Sequence, residues 1–127
     1  MEWAVVIPVK GSIGKSRLDA GDARAALAVA FARDVISAAR DAGSIGRVVV
    51  VTCDPAVTDG IDGIEVVDDP SAGLRAAIAT GLAELEPQQP AAVILGDLPA
   101  LTAEVLDAAL LLAEHEERSY VPDAVAT

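Results

Sequence analysis

The densest chemistry in the chain lies in Lys10-Gly11-Ser12-Ile13-Gly14-Lys15-Ser16-Arg17-Leu18. This stretch holds both lysines and one of the seven arginines, and no acidic residue occurs from Trp3 to Leu18, although the formal charge of the protein is −11. So local an absence of carboxylates in so acidic a protein needs a cause. Two glycines let the backbone approach a ligand closely, free amides can point at an anion, and three cations counter the charge of a polyphosphate. The bland alternative is a solvated turn with chance charges, since short glycine motifs do arise by chance. Gly14-Lys15-Ser16 does not complete a Walker A loop, because that pattern needs a glycine five positions before the Gly of Gly-Lys and Val9 stands there. No Gly-x-Gly-x-x-Gly pattern occurs either, so a phosphate loop of another kind is expected.

Asp97 is the second candidate. It follows Val93-Ile94-Leu95-Gly96, so a buried strand would deliver its carboxylate into a crevice, where such a group commonly holds magnesium against substrate phosphates. Its bland reading is a turn or capping aspartate, but Thr102 is better placed to cap the following helix. Asp68 and Asp69 precede Pro70 and read as turn formers. His115, among Glu114, Glu116 and Glu117, reads as a solvated residue at a helix end. Cys53 is the single cysteine, without a disulfide partner or a zinc ligand set, and is expected to be a small buried apolar residue. No Ser/His/Asp or Cys/His arrangement is evident.

The elements that must position these residues follow from periodicity. Trp3 to Val9 and Arg47 to Thr52 are apolar runs too short for helices, and continuous apolarity predicts strands covered on both faces. Leu27, Phe31, Val35 and Ala38 recur at helical spacing between them, with Asp22 as N-cap and Gly43 beyond the end. A strand Ile64 to Val67, a helix from about Ala72 to Leu85, a strand Ala92 to Leu95 and a helix from about Ala103 to Glu114 repeat the pattern. Thr102 caps the last helix, Leu101 and Leu106 have the spacing of a hydrophobic staple, and a short strand starts at Ser119. Glu86-Pro87-Gln88-Gln89-Pro90 reads as a turn. The fold class expected is α/β, a doubly wound, mostly parallel, Rossmann-like sheet with right-handed crossovers, and residues 1–127 form one domain. Ligands bind such sheets outside the carboxyl ends of the strands, where strand order reverses. If the order is 3-2-1-4, the basic first loop faces the loop that carries Asp97.

Composition bounds the rest. A chain of 127 residues removes roughly two-thirds of its unfolded surface from water, and with 53% hydrophobic but only 2% aromatic residues its core must be aliphatic. The net charge argues against nucleic acid or an anionic membrane as a general partner, so an anion site must be local. Met1-Glu2-Trp3 opens without the basic start of a signal peptide and no run reaches membrane-spanning length, which predicts a cytoplasmic location.

Ile7-Pro8-Val9-Lys10 and Lys15-Ser16-Arg17-Leu18 together resemble the opening signature of the phosphoenolpyruvate or 2-phospholactate guanylyltransferases of deazaflavin coenzyme biosynthesis, within the MobA-like nucleotidyltransferases. Arg24, Val50-Val51-Thr52, Asp69-Pro70, Gly73-Leu74, Gly96-Asp97-Leu98-Pro99-Ala100-Leu101 and Ser119-Tyr120-Val121-Pro122-Asp123 follow in the family's order. The resemblance implies a GTP site formed by Pro8, Val9, Lys10, Gly14, Lys15, Ser16 and Arg17 of the first loop, with Thr52, Asp54, Asp69, Gly73 and Leu74 after the second and third strands. It implies Lys15, Arg17 and Asp97 as catalytic residues, Mg2+ on Asp97, and Thr127 at the start of a substrate loop. Arg75 stands where relatives usually have Asn, and Ala126 where they have Gly. The family continues beyond the position of Thr127, so the chain reads as a fragment or as a degenerate relative.

The chemistry so implied suits the residues present. A phosphate monoester acceptor, with a second pKa near 6 by analogy with phosphoserine, is a dianion at neutral pH and needs no general base. Catalysis would then consist of positioning and charge neutralisation at the α-phosphate. The partners expected are GTP and a small phosphorylated acid, with neither nucleic acid nor membrane, and a homodimer stays open. The rival readings are another MobA-like nucleotidyltransferase, whose usual Gly-Gly and Arg-Met-Gly motifs this chain lacks, and a nucleotide-binding module without catalysis.

Overall fold

The computed structural model describes residues 2–9, 19–95, 102–113, 119–121 and 124–126, with side chains described for 2–9, 26–95 and 102–112. Strand β1 (Trp3–Pro8) leads to helix α1 (Asp19–Asp41) and strand β2 (Ile45–Val51). A single turn, α2 (Pro55–Thr58), precedes β3 (Glu65–Val67), α3 (Leu74–Leu82), β4 (Ala91–Val93) and α4 (Ala103–Ala113). Strands β5 (Ser119–Val121) and β6 (Ala124–Ala126) close the order.

The sheet runs β3-β2-β1-β4-β6-β5, so its first four strands take the order 3-2-1-4 that brings the first and fourth loops together. Those four pair in parallel. The short strand expected from Ser119 is β5, whereas the sequence did not signal β6, which pairs antiparallel with both β4 and β5. Because the chain passes from β1 outward to β2 and β3 and then crosses back to β4, right-handed crossovers put their helices on opposite faces. Val5, Ile7, Val50 and Ile94 accordingly pack with Val35 and Ile36 of α1 and Leu106 and Leu110 of α4. Val6, Val49, Val51 and Val93 pack on the other face with Ala77, Ile78 and Leu82 of α3. Covering both faces explains the unbroken apolar run of β1, and each fully buried Val or Ile contributes on the order of 1.5–3 kcal/mol.

Small residues let α3 lie close. A Cβ placed on Gly81 would stand 2.9 Å from Val51 Cγ2 and closer still to Val6 Cγ1, so only glycine fits where the helix crosses β1 and β2. On the opposite face α4 is tied to the turn before β2, because the Asp107 carboxylate accepts the Gly43 N–H at 3.0 Å and the Ser44 N–H at 2.7 Å. The Ser44 amide, opposed by partial burial and helped by the Gly43 amide, holds the Asp107 carboxyl below its ordinary value of 3.8. A depressed carboxylate pKa stabilises the fold above the unfolded value and loses that contribution as pH falls through the folded one. Asp107→Ala is therefore expected to lower stability by about 1–2 kcal/mol at pH 7 and by clearly less at pH 3. Denaturant titrations at both pH values check this, and an equal penalty at both would refute it.

Several boundaries differ from the sequence-based expectation. Helix α1 starts at Asp19, so Asp22 lies in its first turn and does not cap it, a position where the helix dipole favours a carboxylate. Gly43 does not adopt the left-handed conformation of a glycine cap, and its N–H is taken by Asp107 instead. Helix α3 begins only after Gly73, whose φ of 100° is not helical, and is shorter at both ends than expected. The turn at residues 86–90 is present, with the Gln89 N–H donating to the Glu86 carbonyl at 3.1 Å. Thr102 caps α4 as expected, accepting the Val105 N–H at 3.2 Å, whereas Leu101 of the expected staple lies outside the described residues.

Candidate active site

Each parallel strand hands its chain to the carboxyl edge from a fixed point, because the ladder runs one residue past the strand. The Val9 N–H donates to the Val51 carbonyl, the Thr52 N–H to that of Val67 and the Ile94 N–H to that of Val6, all at 3.0 Å. Pro8 and Val9 are buried here, and the Lys10 to Leu18 loop departs from this point, between β2 and β4. Strand β4 ends beside β1 at the buried Ile94, so the segment that carries Asp97 leaves from the place where strand order reverses.

The loop after β2 is built from side chains bonding backward onto their own backbone. Thr52 Oγ1 accepts the Asp54 N–H at 3.1 Å, and Asp54 Oδ1 accepts the Ala56 N–H at 3.0 Å, capping α2 ahead of Pro55. Both residues are almost fully buried, at 3% and 4% exposure. Thr52 and Asp54 thus stand at the carboxyl edge of the sheet, and the bonds described for them hold the loop itself. From α1, Arg33 donates to the carbonyls of Ala56 and Asp59 at 3.0 and 2.8 Å, satisfying the end of that short turn.

Cys53 is exposed, which corrects the expectation of a buried apolar residue. It lies between Thr52 and Asp54, which turn into the protein, so it faces the neighbouring loop. Its Sγ–H donates to the Asp69 carbonyl at 3.2 Å and joins the loops after β2 and β3. Asp69 Oδ1 in turn accepts the Ser71 N–H at 2.9 Å, forming the turn expected around Pro70, and Ser71 takes a φ of 59°. Gly73 supplies a left-handed φ of 100° before α3, which Leu74 opens with its side chain 54% exposed. No side chain caps the start of α3.

Pro8, Val9, Thr52, Asp54, Asp69, Gly73 and Leu74 therefore gather at the carboxyl edge of β1, β2 and β3. Lys10, Gly14, Lys15, Ser16, Arg17, Asp97 and Thr127 lie outside the described residues. Strand β6 runs antiparallel to β4, from the carboxyl edge of the parallel strands toward the opposite one, with Ala126 opposite Ala92. Among the described residues no group of three or more His, Cys, Asp or Glu could hold a metal ion, and no helix is long and apolar enough to cross a membrane. The roles of Cys53, Arg33 and Asp107 had no sequence signal. Turn α2 did have one, since Asp54 before Pro55 is the pairing of an N-cap with proline at the first helical position.

Relatives with a curated name extend along nearly the whole chain. A phosphoenolpyruvate guanylyltransferase of Streptosporangium roseum is 42% identical over 130 residues, covering 96% of this chain and 59% of that protein. Proteins of the same name from Salinispora arenicola and Streptomyces coelicolor are 41% and 38% identical, each covering 98% of this chain and 62% and 63% of their own lengths. The chain thus spans about three-fifths of the relatives it matches. Among solved structures, a CMP:2-keto-3-deoxy-manno-octonic acid synthetase complexed with CTP superposes with a TM-score of 0.65 at 17% identity, over 91% of this chain and 48% of that one. A 4-diphosphocytidyl-2C-methyl-D-erythritol synthase from Anaerococcus prevotii gives 0.64 at 15% identity, over 92% and 52%. These two share the fold. The family model of the MobA-like NTP transferase domain matches residues 24–126, and the chain belongs to that family.

Proposed function

We propose that the crevice at the carboxyl edge of β3-β2-β1-β4 binds GTP and that the protein transfers GMP from it to phosphoenolpyruvate. The observation that carries this reading is the shared name of relatives up to 42% identical over almost the entire chain. A phosphate oxygen of the acceptor attacks the α-phosphorus of GTP, the bond between α-phosphorus and bridging oxygen breaks, and pyrophosphate leaves. The acceptor dianion brings its own nucleophile and needs no general base from the protein. Lys15 and Arg17 neutralise the triphosphate in this account, and Asp97 holds magnesium, whose charge would offset that of the phosphates. Pro8, Val9, Lys10, Gly14 and Ser16 approach the phosphates, while the loops of Thr52, Asp54, Asp69, Gly73 and Leu74 receive the nucleoside. Deazaflavin coenzyme biosynthesis in the cytoplasm is the setting we assign to the reaction.

Pyrophosphate release by the chain, with GTP, magnesium and each candidate acceptor, tests the proposal. Release is expected with phosphoenolpyruvate and GTP together and not with GTP alone. Release with 2-phospholactate only would change the acceptor, and none with any combination would overturn the transfer.

A further inference from the structure

We draw no further inference here: the strongest candidate, the exposed apolar patch that Val105, Leu111 and Leu112 form on the outer side of helix α4, carries nothing because nothing in the structure shows what covers it.

Discussion

Asp97→Asn is expected to reduce guanylyl transfer by on the order of a hundredfold and to weaken magnesium-dependent nucleotide binding, with little change in melting temperature without ligand. The substitution is nearly isosteric, so it removes charge and little else. The size of the effect depends on how rigidly the carboxylate is presented. Ile94 is fully buried and its N–H is bonded to the Val6 carbonyl, so the chain leaves β4 from a point fixed against the central strand. Asp97 follows that fixed point by only three residues in the sequence. If Asp97 only formed a turn, the outcome would reverse, with a lowered melting temperature and an unchanged magnesium titration. Measuring both quantities on the same variant separates the two roles.

Gly81→Val is expected to destabilise the fold by about 3 kcal/mol or more, read as a fall in denaturation midpoint. Helix propensity alone would point the other way, since glycine in a helix interior costs about 0.5–1 kcal/mol relative to alanine. The close approach of α3 decides the sign. The first carbon of any side chain at Gly81 meets the methyls of Val6 and Val51, both fully buried in the sheet and unable to yield without moving β1 or β2. Gly81→Ala is expected to follow in the same direction with a smaller loss. A stability equal to or above that of the wild type in the alanine variant would mean that α3 stands farther from the sheet than described.

The parallel core was legible because burial on both faces leaves a plain mark: Val5, Val6 and Ile7 in β1 and Val48 to Val51 in β2 are unbroken apolar runs. Alternating strands and helices marked the doubly wound class, and the order 3-2-1-4, which that class allows, is the one observed and sets the edge on which Thr52, Asp69 and Gly73 meet. What escaped notice is carried by contacts distant in sequence. Asp107 lies 63 residues from Ser44, and nothing around either marks the bond between them. Cys53 looks apolar by residue type, yet its neighbours Thr52 and Asp54 turn inward and leave it on the surface beside Asp69. The start of α1 was misplaced because an aspartate suits either an N-cap or a first turn, and Asp22 lies in the first turn. Strand β5 starts at Ser119 as expected, whereas β6 and the antiparallel pairing went unread, because three residues are too few for alternation to register.

The central claim is that the carboxyl-edge crevice is a guanine nucleotide site, and titrating the 127-residue chain with GTP and with ATP in excess magnesium tests it most directly. The account predicts one GTP bound per site, at least about tenfold more tightly than ATP, with binding weakened when magnesium is chelated. Equal affinities for the two nucleotides, or no binding of GTP, would contradict it.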